Sequence, residues 1–370
     1  MTTTTSLIKT LADAFVRRID GFLLMTALAI AGLGLLILYS ATDGSTTRVT
    51  GQALNLLFAL VVMWIAANVS PQHYMRWAVP LFVVGVTLLV CVAVFGTVVN
   101  GSRRWLSLGI TRIQPSEMMK IAVPLLLAWY FNRQAAEIRL RDFAIAAFLI
   151  VVPVALIAKQ PDLGTALLIG ACGFFVIYLA GLNWKIIVLL VLAGGALVPF
   201  VWPHLHDYQQ QRVLVLLDPM RDPLGRGYHI IQSTIALGSG GVLGKGWMNG
   251  TQTHLDFLPE RHTDFIFAVY GEEFGLLGGI ILLALYLMLI ARGFMITASA
   301  STLFTRLLAG AITLMFFTYA FVNMGMVSGI LPVVGVPLPL VSFGGTALVT
   351  LFLGIGMLMS IHANRKLVKT

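Results

Sequence analysis

The sequence predicts an all-α, polytopic membrane protein, and two observations support this fold class. Of its 370 residues, 58% are hydrophobic and only 11% are charged, and the mean hydropathy is +0.92. A soluble protein carries roughly 25% charged residues. The apolar residues also fall into runs close to the ~20 residues that a helix needs to cross a bilayer. These two observations predict one membrane-embedded domain over residues 1–370.

Ten apolar runs are the candidate transmembrane helices. The first follows a polar N-terminus and is longer than the core of a signal peptide, so an uncleaved helix is predicted there. The fifth and sixth runs are joined only through Gln160 and Pro161, which predicts a tight hairpin. In chain order the runs cover 21–41, 52–69, 77–96, 117–133, 142–160, 162–182, 184–203, 274–294, 303–327 and 340–361.

The placement of Lys and Arg predicts the orientation, because basic residues favour the cytoplasmic side of a membrane. With the N-terminus inside, the cytoplasmic segments hold 13 of the 24 basic residues. Five others lie in the long segment 204–263, where the rule carries little weight, so the short loops divide 13 to 6. Both termini are therefore predicted to be cytoplasmic, and 204–263 is predicted to be extracytoplasmic.

Composition also narrows the function classes. In a membrane protein, a net charge of +9 favours anionic lipid headgroups. The chain has no basic soluble domain that could bind nucleic acid, so no nucleic-acid partner is expected. Cys91 and Cys172 lie inside apolar runs, and they predict neither a disulfide framework nor a cysteine metal site.

The segment 204–263 is the only long extramembrane stretch, and it is rich in glycine. It predicts short amphipathic helices on the outer surface, one of them near 228–237. Backbone N–H groups of glycine-rich stretches can bind phosphate, but these glycines match neither the P-loop nor the dinucleotide pattern. The glycines by themselves therefore predict a flexible loop.

Charges cluster where this segment meets the eighth apolar run. Residues 256–275 contain six acidic or basic side chains and His262. A cluster at the edge of a bilayer is costly and suggests a function. A solvated loop followed by an ordinary interfacial helix would give the same pattern. Asp264 directly precedes an apolar triplet, so partial desolvation is expected to raise its pKa and make it a better general base.

Three further polar positions are candidate sites. Glu117 and Lys120 share a helix face and could contribute to a site or form a structural ion pair. Asp162 could bind a ligand or only cap the sixth helix. The stretch 329–345, which includes Ser342, has three prolines and four glycines that interrupt a helix. Non-helical backbone at membrane depth lines a cavity or is buried in protein, so a re-entrant segment is predicted.

Seven motifs in a fixed order resemble those of the SEDS family of membrane-embedded peptidoglycan polymerases. The resemblance extends from about residue 21 to 366. One departure is Phe343, where the family commonly has tyrosine, and another is Thr346, where serine is frequent. A tyrosine hydroxyl at position 343 therefore cannot be essential in this chain. The motifs occupy 104–109, 114–117, 159–165, 218–229, 238–246, 260–267 and 335–342.

The resemblance implies a ten-helix protein of the bacterial cytoplasmic membrane with an extracytoplasmic active site. It implies a glycosyltransferase that adds lipid II to a growing glycan during cell-wall elongation and releases polyprenyl pyrophosphate. The essential aspartate of the family falls on Asp264, and three other important cavity residues fall on Glu117, Lys120 and Asp162. The implied partners are a class B penicillin-binding protein transpeptidase and other membrane proteins of the elongation complex.

The chemistry of this reaction suits the residues. An acceptor hydroxyl needs a general base, and a pyrophosphate leaving group needs cations or a divalent metal such as Mg²⁺ or Mn²⁺. No organic cofactor is expected. Positive charge on the outer side, where it is disfavoured, suggests an anionic ligand. Five basic residues of that side and three polar neighbours of the candidate site are therefore the predicted substrate-binding groups. They are Arg103, Arg104, Lys120, Arg212, Lys245, Arg261, His262 and Ser342, besides Glu117 and Asp162.

Two other functions are compatible with parts of this pattern. A lipid II flippase would also need a groove for a polyprenyl tail and cations for its pyrophosphate. It differs from a polymerase in needing Asp264 only for translocation. An ion-coupled transporter would need charges in the middle of the spans and benefits from internal repeats, and the sequence has few of the former and no convincing repeat.

Overall fold

The structure is a computed structural model that describes residues 18–99, 102–107, 112–204, 207–223, 225–255, 258 and 260–365. Ten long helices dominate it. They run up and down, so that consecutive long helices begin at opposite ends of a bundle. In chain order they are α1 (Gly21–Ala41), α2 (Thr46–Asn68), α3 (Pro71–Phe95), α4 (Pro115–Arg133), α5 (Leu140–Ala158), α6 (Leu163–Leu179), α7 (Trp184–Val201), α11 (Ile266–Ala298), α12 (Leu303–Val327) and α13 (Gly345–Ala363).

Eight of these helices are long and apolar enough to cross a membrane. The remaining two are α6, which has 17 residues, and α4, which has 19 residues but carries Glu117 and Lys120 near its start. The prediction of a polytopic helical membrane protein is confirmed. Four predicted starts were wrong. The second, third and eighth helices begin earlier than predicted, at Thr46, Pro71 and Ile266 and not at 52, 77 and 274, and the tenth begins later, at Gly345 and not at 340.

One end of the bundle, here called the loop end, carries the non-helical segments and the short helices. Three short helices lie between α7 and α11: α8 (Asp207–Leu217), α9 (Arg226–Ser239) and α10 (Thr251–His254). The helix α9 contains the amphipathic helix predicted near 228–237. It buries Ile230, Ser233 and Ala236 and packs against α11. The segment 328–344, here called the re-entrant segment, also lies at this end. It is non-helical, as the prolines and glycines predicted.

A small antiparallel sheet at the loop end was not predicted. Strand β1 (Thr97–Val99) pairs with β2 (Ser102–Ser107), and β2 pairs with β3 (Arg112–Ile113). The strands lie between two transmembrane helices and contain β-branched and aromatic residues, which favour an extended backbone. The sheet holds Arg103 and Arg104 on β2, so it fixes one source of positive charge at the loop end.

The glycine-rich stretch 240–246 is pinned to α11, so the prediction of a flexible loop was wrong. At Gly275, which has φ +64°, the regular helical backbone of α11 is interrupted. Leu276 N and Leu277 N therefore donate to the carbonyls of Gly241 and Val242 at 2.9 and 3.1 Å. In return, the carbonyls of two residues before the kink accept from Lys245 N and Gly246 N, each at 3.0 Å; these two residues are Glu272 and Glu273.

This exchange explains the glycines in physical terms. Backbone groups freed by a kink at membrane depth must find partners inside the protein. A Cβ atom at Gly240 or Gly244 would lie 2.1 Å from a carbonyl oxygen of α11. The glycines therefore permit the close approach of two backbones, and their N–H groups are committed to protein carbonyls rather than to a phosphate.

At the opposite end of the bundle, a buried ion pair joins three helices. Asp20 caps α1 by accepting from Leu23 N at 2.9 Å. Its Oδ2 also accepts from Arg292 of α11, at 3.0 Å from Nε and 2.5 Å from Nη2. His362 of α13 lies 3.6 Å from the same oxygen. This contact fixes the first, eighth and tenth long helices to one another. It lies at the end of the bundle opposite to the candidate site.

Candidate functional site

Asp264 lies at the loop end in a turn, 260–265, that leads into α11. It lines a cavity of about 260 Å³ that combines polar and apolar walls. Glu260 of the same turn and His229 of α9 supply the other ionisable groups, and Gly335 of the re-entrant segment completes one side. The lining residues are Val215, His229, Ile230, Glu260, Asp264, Phe265, Val333 and Gly335.

The environment of Asp264 raises the pKa of its carboxyl group to about 6. Burial is the largest cause, because it disfavours the ionised form. The neighbouring carboxylates of Glu260 and Asp162 act in the same direction, and the Arg104 guanidinium opposes them. A carboxylate with a pKa close to the working pH is suited to act as a general base. The prediction that desolvation raises the pKa of Asp264 therefore agrees with the structure.

Arg104 and Asp162 come together beside this cavity from distant parts of the chain. Arg104 Nε lies 3.6 Å from Asp162 Oδ2, and its Nη2 donates to Pro161 O at 2.8 Å. Asp162 also caps α6 by accepting from Thr165 N at 3.2 Å. Asp162 is therefore a helix cap that also lies near the charges around Asp264, and its binding of a ligand stays a prediction. A third of the Arg104 side chain is exposed, so it can still meet a ligand.

Glu117 and Lys120 form a buried ion pair of their own. Lys120 Nζ donates to Glu117 Oε1 at 2.5 Å and lies 5.0 Å from the ring centre of Tyr319 on α12. The second carboxylate oxygen of Glu117 has no hydrogen-bond partner among the described residues. The structural alternative, an ion pair, is thus realised. The pair is nevertheless incompletely satisfied, which is unusual for a buried carboxylate.

Lys245 and Arg261 are both held in structural contacts. Lys245 Nζ donates to Glu272 Oε1 and to Thr251 Oγ1, each at 2.7 Å. Arg261 pairs with Asp43 at 2.5 Å and donates to the carbonyl of Thr253. These contacts fasten the segment 245–261 to the bundle. Neither side chain lines the Asp264 cavity, which differs from the prediction that they bind substrate directly.

Ser342 and His262 also connect protein segments. The Ser342 hydroxyl accepts from Leu338 N at 2.8 Å and donates to Thr263 O at 2.6 Å. The His262 ring lies 6.1 Å from the ring of Phe343, which occupies the position of the family's tyrosine. Burial and the nearby Arg48 lower the pKa of His262, which favours its neutral form. The structure therefore places both residues next to the site in supporting contacts.

The side chains of two predicted cations, Arg103 and Arg212, lie outside the described part of the structure. Their backbones belong to β2 and α8 at the loop end. Their proposed contacts with an anionic substrate stay predictions.

Two residues of the cavity were not among the predicted site residues. Glu260 was noted only as part of the charge cluster, and His229 only as part of a motif. The His229 ring stacks on Phe265 with ring centres 5.6 Å apart, and burial lowers its pKa. Their presence in two of the ordered motifs, 218–229 and 260–267, was the available signal. Nothing in the sequence indicated that these two motifs meet at one cavity.

The ten-helix bundle and its carboxylate-lined cavity define a multi-pass membrane protein with a polar site at one end of the bundle. The chain belongs to the FtsW/RodA/SpoVE family of cell cycle proteins, whose family model matches residues 21–367. The resemblance of its motifs to this class of protein is confirmed.

Relatives and solved structures agree with this membership. The chain is 52% identical over 353 residues to the peptidoglycan glycosyltransferase MrdB of Escherichia coli K12. This alignment covers 94% of this chain and 95% of MrdB. A chain of a solved peptidoglycan synthase complex, described as coordinating polymerization and crosslinking, matches with a TM-score of 0.82 at 36% identity, covering 94% of this chain and 98% of that chain. The rod shape determining protein RodA of Thermus thermophilus matches with a TM-score of 0.71 at 30% identity, covering 94% and 97%.

Proposed function

We propose that this protein polymerises lipid II into peptidoglycan strands, with Asp264 as the general base. The chain is a peptidoglycan glycosyltransferase, as its relative MrdB is named. The observation that carries the proposed mechanism is that Asp264, with a pKa of about 6, lines the cavity and that the charge of Arg104 acts on its carboxylate. A base in the cavity and a cation near it are thus provided together.

The proposed reaction joins two lipid-linked sugars. Asp264 accepts the proton of the acceptor hydroxyl as that oxygen attacks the anomeric carbon of the donor. A glycosidic bond forms, and the bond from the anomeric carbon to the pyrophosphate oxygen breaks. Arg104 stabilises the negative charge that develops on the departing polyprenyl pyrophosphate, because a pre-positioned cation lowers the energy of that charge.

A divalent cation fits this proposal in part. Among the described residues, no three His, Cys, Asp or Glu side chains are grouped to hold a metal. Mg²⁺ commonly needs only one or two carboxylates together with substrate phosphates, so Asp264 and Glu260 are the residues that would hold it. When bound, it would neutralise pyrophosphate charge.

The assay that tests this function is glycan-chain formation from purified lipid II by wild type and Asp264→Asn. Asn keeps the size of the side chain but cannot accept the proton, so a loss of at least ~10²-fold with lipid II binding retained is expected. Repeating the assay with a chelator tests the metal. Near-normal chain formation by Asp264→Asn removes this residue from the mechanism. If wild type with its partner makes no polymer but moves lipid II between leaflets, the flippase alternative is correct.

We further propose that the loop end faces the extracytoplasmic side of the bacterial cytoplasmic membrane and that both termini are cytoplasmic. The Lys and Arg distribution supports this orientation. Asp218 is exposed at the loop end, and Cys91 and Cys172 lie within α3 and α6. A cysteine placed at Asp218 in a variant without the native cysteines should react with an impermeant reagent in intact cells. Reaction only after lysis contradicts the orientation.

The expected partner is a class B penicillin-binding protein transpeptidase. This expectation is supported by the similarity to a chain of a complex described as coordinating polymerization and crosslinking. A transpeptidase would cross-link the strand that this protein polymerises. Contacts with other membrane proteins of the elongation complex stay a prediction.

A further inference from the structure

The turn that carries Asp264 is fastened through three successive backbone carbonyls. His262 O accepts from Phe343 N at 3.0 Å. Thr263 O accepts from the Ser342 hydroxyl at 2.6 Å. Asp264 O accepts from Asn323 Nδ2 at 2.8 Å. Two of the three donors belong to the re-entrant segment 328–344, and the third belongs to α12.

Asn323 connects all of these parts. The same Nδ2 atom donates to Val336 O of the re-entrant segment at 2.7 Å. Both neighbours are carbonyl oxygens, so the amide nitrogen must face them, because the amide oxygen could not bond to either. One side chain thus uses its two N–H bonds to join the backbone of Asp264 to the backbone of the cavity wall.

The rest of the Asn323 environment indicates that the amide is present for its donors. Asn323 is fully buried in an otherwise apolar part of α12. Its Oδ1 has no hydrogen-bond partner within the described residues. A buried amide with an unsatisfied oxygen is costly, and a side chain retained at such a cost is expected to serve a purpose beyond packing.

The bond to Asp264 O acts on the direction of the carboxylate. The carbonyl and the Cα–Cβ bond belong to the same residue, so fixing the carbonyl limits how the side chain can swing. On the other side of the cavity, Gly335 lies directly next to Asp264: a Cβ atom at Gly335 would be 3.3 Å from Asp264 Oδ2. Val336, which follows Gly335, is the second residue that Asn323 holds. Asn323 therefore fixes the backbone of Asp264 relative to the backbone of the wall that the carboxylate faces.

We propose that Asn323 is a positioning residue that aims the Asp264 carboxylate at the substrate hydroxyl. The inference rests on the proposed function, because it assigns Asn323 a role through Asp264. A displacement of about 1 Å in a reacting group can cost ~10²-fold in rate, so a loosened turn is expected to affect turnover more than substrate binding.

Gln52 offers a matched control elsewhere on the same re-entrant segment. It is also buried, and its Nε2 donates to Ser342 O at 3.2 Å while its Oε1 accepts from Gly344 N at 3.3 Å. It therefore fastens the C-terminal end of the segment, at Ser342 and Gly344, with the same chemistry. Its bonds do not reach the backbone of Asp264.

The first test compares two isosteric changes, Asn323→Asp and Gln52→Glu, in the full-length protein. Each replaces the donating NH₂ group by oxygen. Thermal unfolding, lipid II binding, KM and kcat for polymerisation are measured for both. We expect Asn323→Asp to lower kcat by at least ~10-fold with KM within about 3-fold of wild type, because positioning affects the reacting geometry. Gln52→Glu is expected to lower thermal stability to a similar degree with a much smaller change in kcat.

The second test is a double-mutant cycle with Asp264→Asn. If Asn323 acts through Asp264, its substitution causes no further loss of the residual activity of Asp264→Asn. Asn323→Ser, which retains one donor, gives the same readouts if Asn323→Asp does not fold. An additive loss, or equal kcat losses for the Asn323 and Gln52 variants, overturns the inference. The inference is also overturned if Asn323→Asp or Asn323→Ser keeps a normal kcat while Asp264→Asn is inactive. Normal polymerisation by Asp264→Asn instead overturns the proposed general base.

Discussion

Asp264 and Glu272 lie close together in one cluster of charges along the sequence, yet the structure gives them opposite environments. Asp264 faces a cavity, and the neighbouring carboxylates of Glu260 and Asp162 raise the pKa that burial has already raised. Glu272 is fully buried and accepts from Lys245 at 2.7 Å, from Gln252 N at 3.0 Å and from Thr251 at 3.1 Å. The first carboxylate is left reactive and the second is satisfied. Charge density in a sequence therefore does not separate a candidate general base from a structural carboxylate, whereas the partners of each oxygen do.

The largest expected effect that tests this contrast is the loss of folding stability caused by Glu272→Ala. It leaves Lys245 and the donors of α10 without their acceptor, and it removes one of the contacts that hold the glycine-rich stretch 240–246 to α11. Removal of one partner of a buried ion pair typically costs about 3–5 kcal/mol, and the partial exposure of Lys245 places the expected loss near the lower value.

Thermal unfolding of the purified protein in one detergent measures this loss. The control is Glu137→Ala, because Glu137 forms an exposed pair with Arg139 and should contribute little to stability. If Glu272→Ala unfolds at the wild-type temperature, Glu272 is not the structural member of the comparison.

A smaller effect, and a gain rather than a loss of stability, is expected for Asp264→Asn. The folded protein holds the pKa of Asp264 at about 6, above its ordinary value of 3.8, so its neutral form is favoured by folding. That stability is fully present below pH 3.8 and is lost as pH rises through about 6. Asn resembles the neutral carboxyl at every pH. The variant should therefore gain about 1–3 kcal/mol over wild type at a pH of about 7.5, since each pKa unit corresponds to about 1.4 kcal/mol.

Melting temperatures of both proteins, measured from about pH 4 to about pH 8, test this sign. The gain of Asp264→Asn should grow as pH rises towards about 6 and then level off. A variant that is less stable than wild type at the alkaline end would show that the Asp264 carboxylate is stabilised in the fold, as that of Glu272 is.

The smallest effect is a shift in the pH dependence of polymerisation. The general base must be ionised, so the initial rate should fall as pH drops through about 6. Glu260 is the neighbouring carboxylate that raises the pKa of Asp264 most after burial itself. Glu260→Gln should therefore lower the midpoint of the acidic limb, by less than about one pH unit. Glu137→Gln serves as the control, and an unchanged midpoint in Glu260→Gln contradicts the electrostatic coupling.

The tertiary contacts also revise what the predicted cations do. Arg104 was predicted as one of several equivalent outer-side charges, and the structure shows that its charge acts on Asp264. Lys245 belonged to the same predicted set, but Glu272 holds it in the pinned loop. The sequence shows that several positive charges lie in the segments predicted to be on the outer side. It does not show which charges already have partners, because each partner is distant in the chain.

The sequence by itself determined the features that depend on local composition. Apolar runs of the length of a bilayer predicted the ten helices, because a backbone at membrane depth must satisfy its own hydrogen bonds. Prolines and glycines in 329–345 predicted a non-helical segment for the same reason. The motif 260–267 singled out Asp264, and its apolar neighbours predicted the direction of its pKa.

Only the tertiary structure decided what each polar group contacts. Asp264 and Asp162 are far apart in the sequence, and the packing of α6 against the re-entrant segment brings Asp162 near enough for its charge to act on Asp264. The glycines of 240–246 predicted a flexible loop, and this prediction failed because the stretch packs against backbone carbonyls of α11 at 271–273. No local sequence pattern identifies these contacts. Asn323 is a single polar residue in an apolar span, and only the fold places it between Asp264 and Val336. Pairing across such distances depends on packing geometry, which local patterns do not encode.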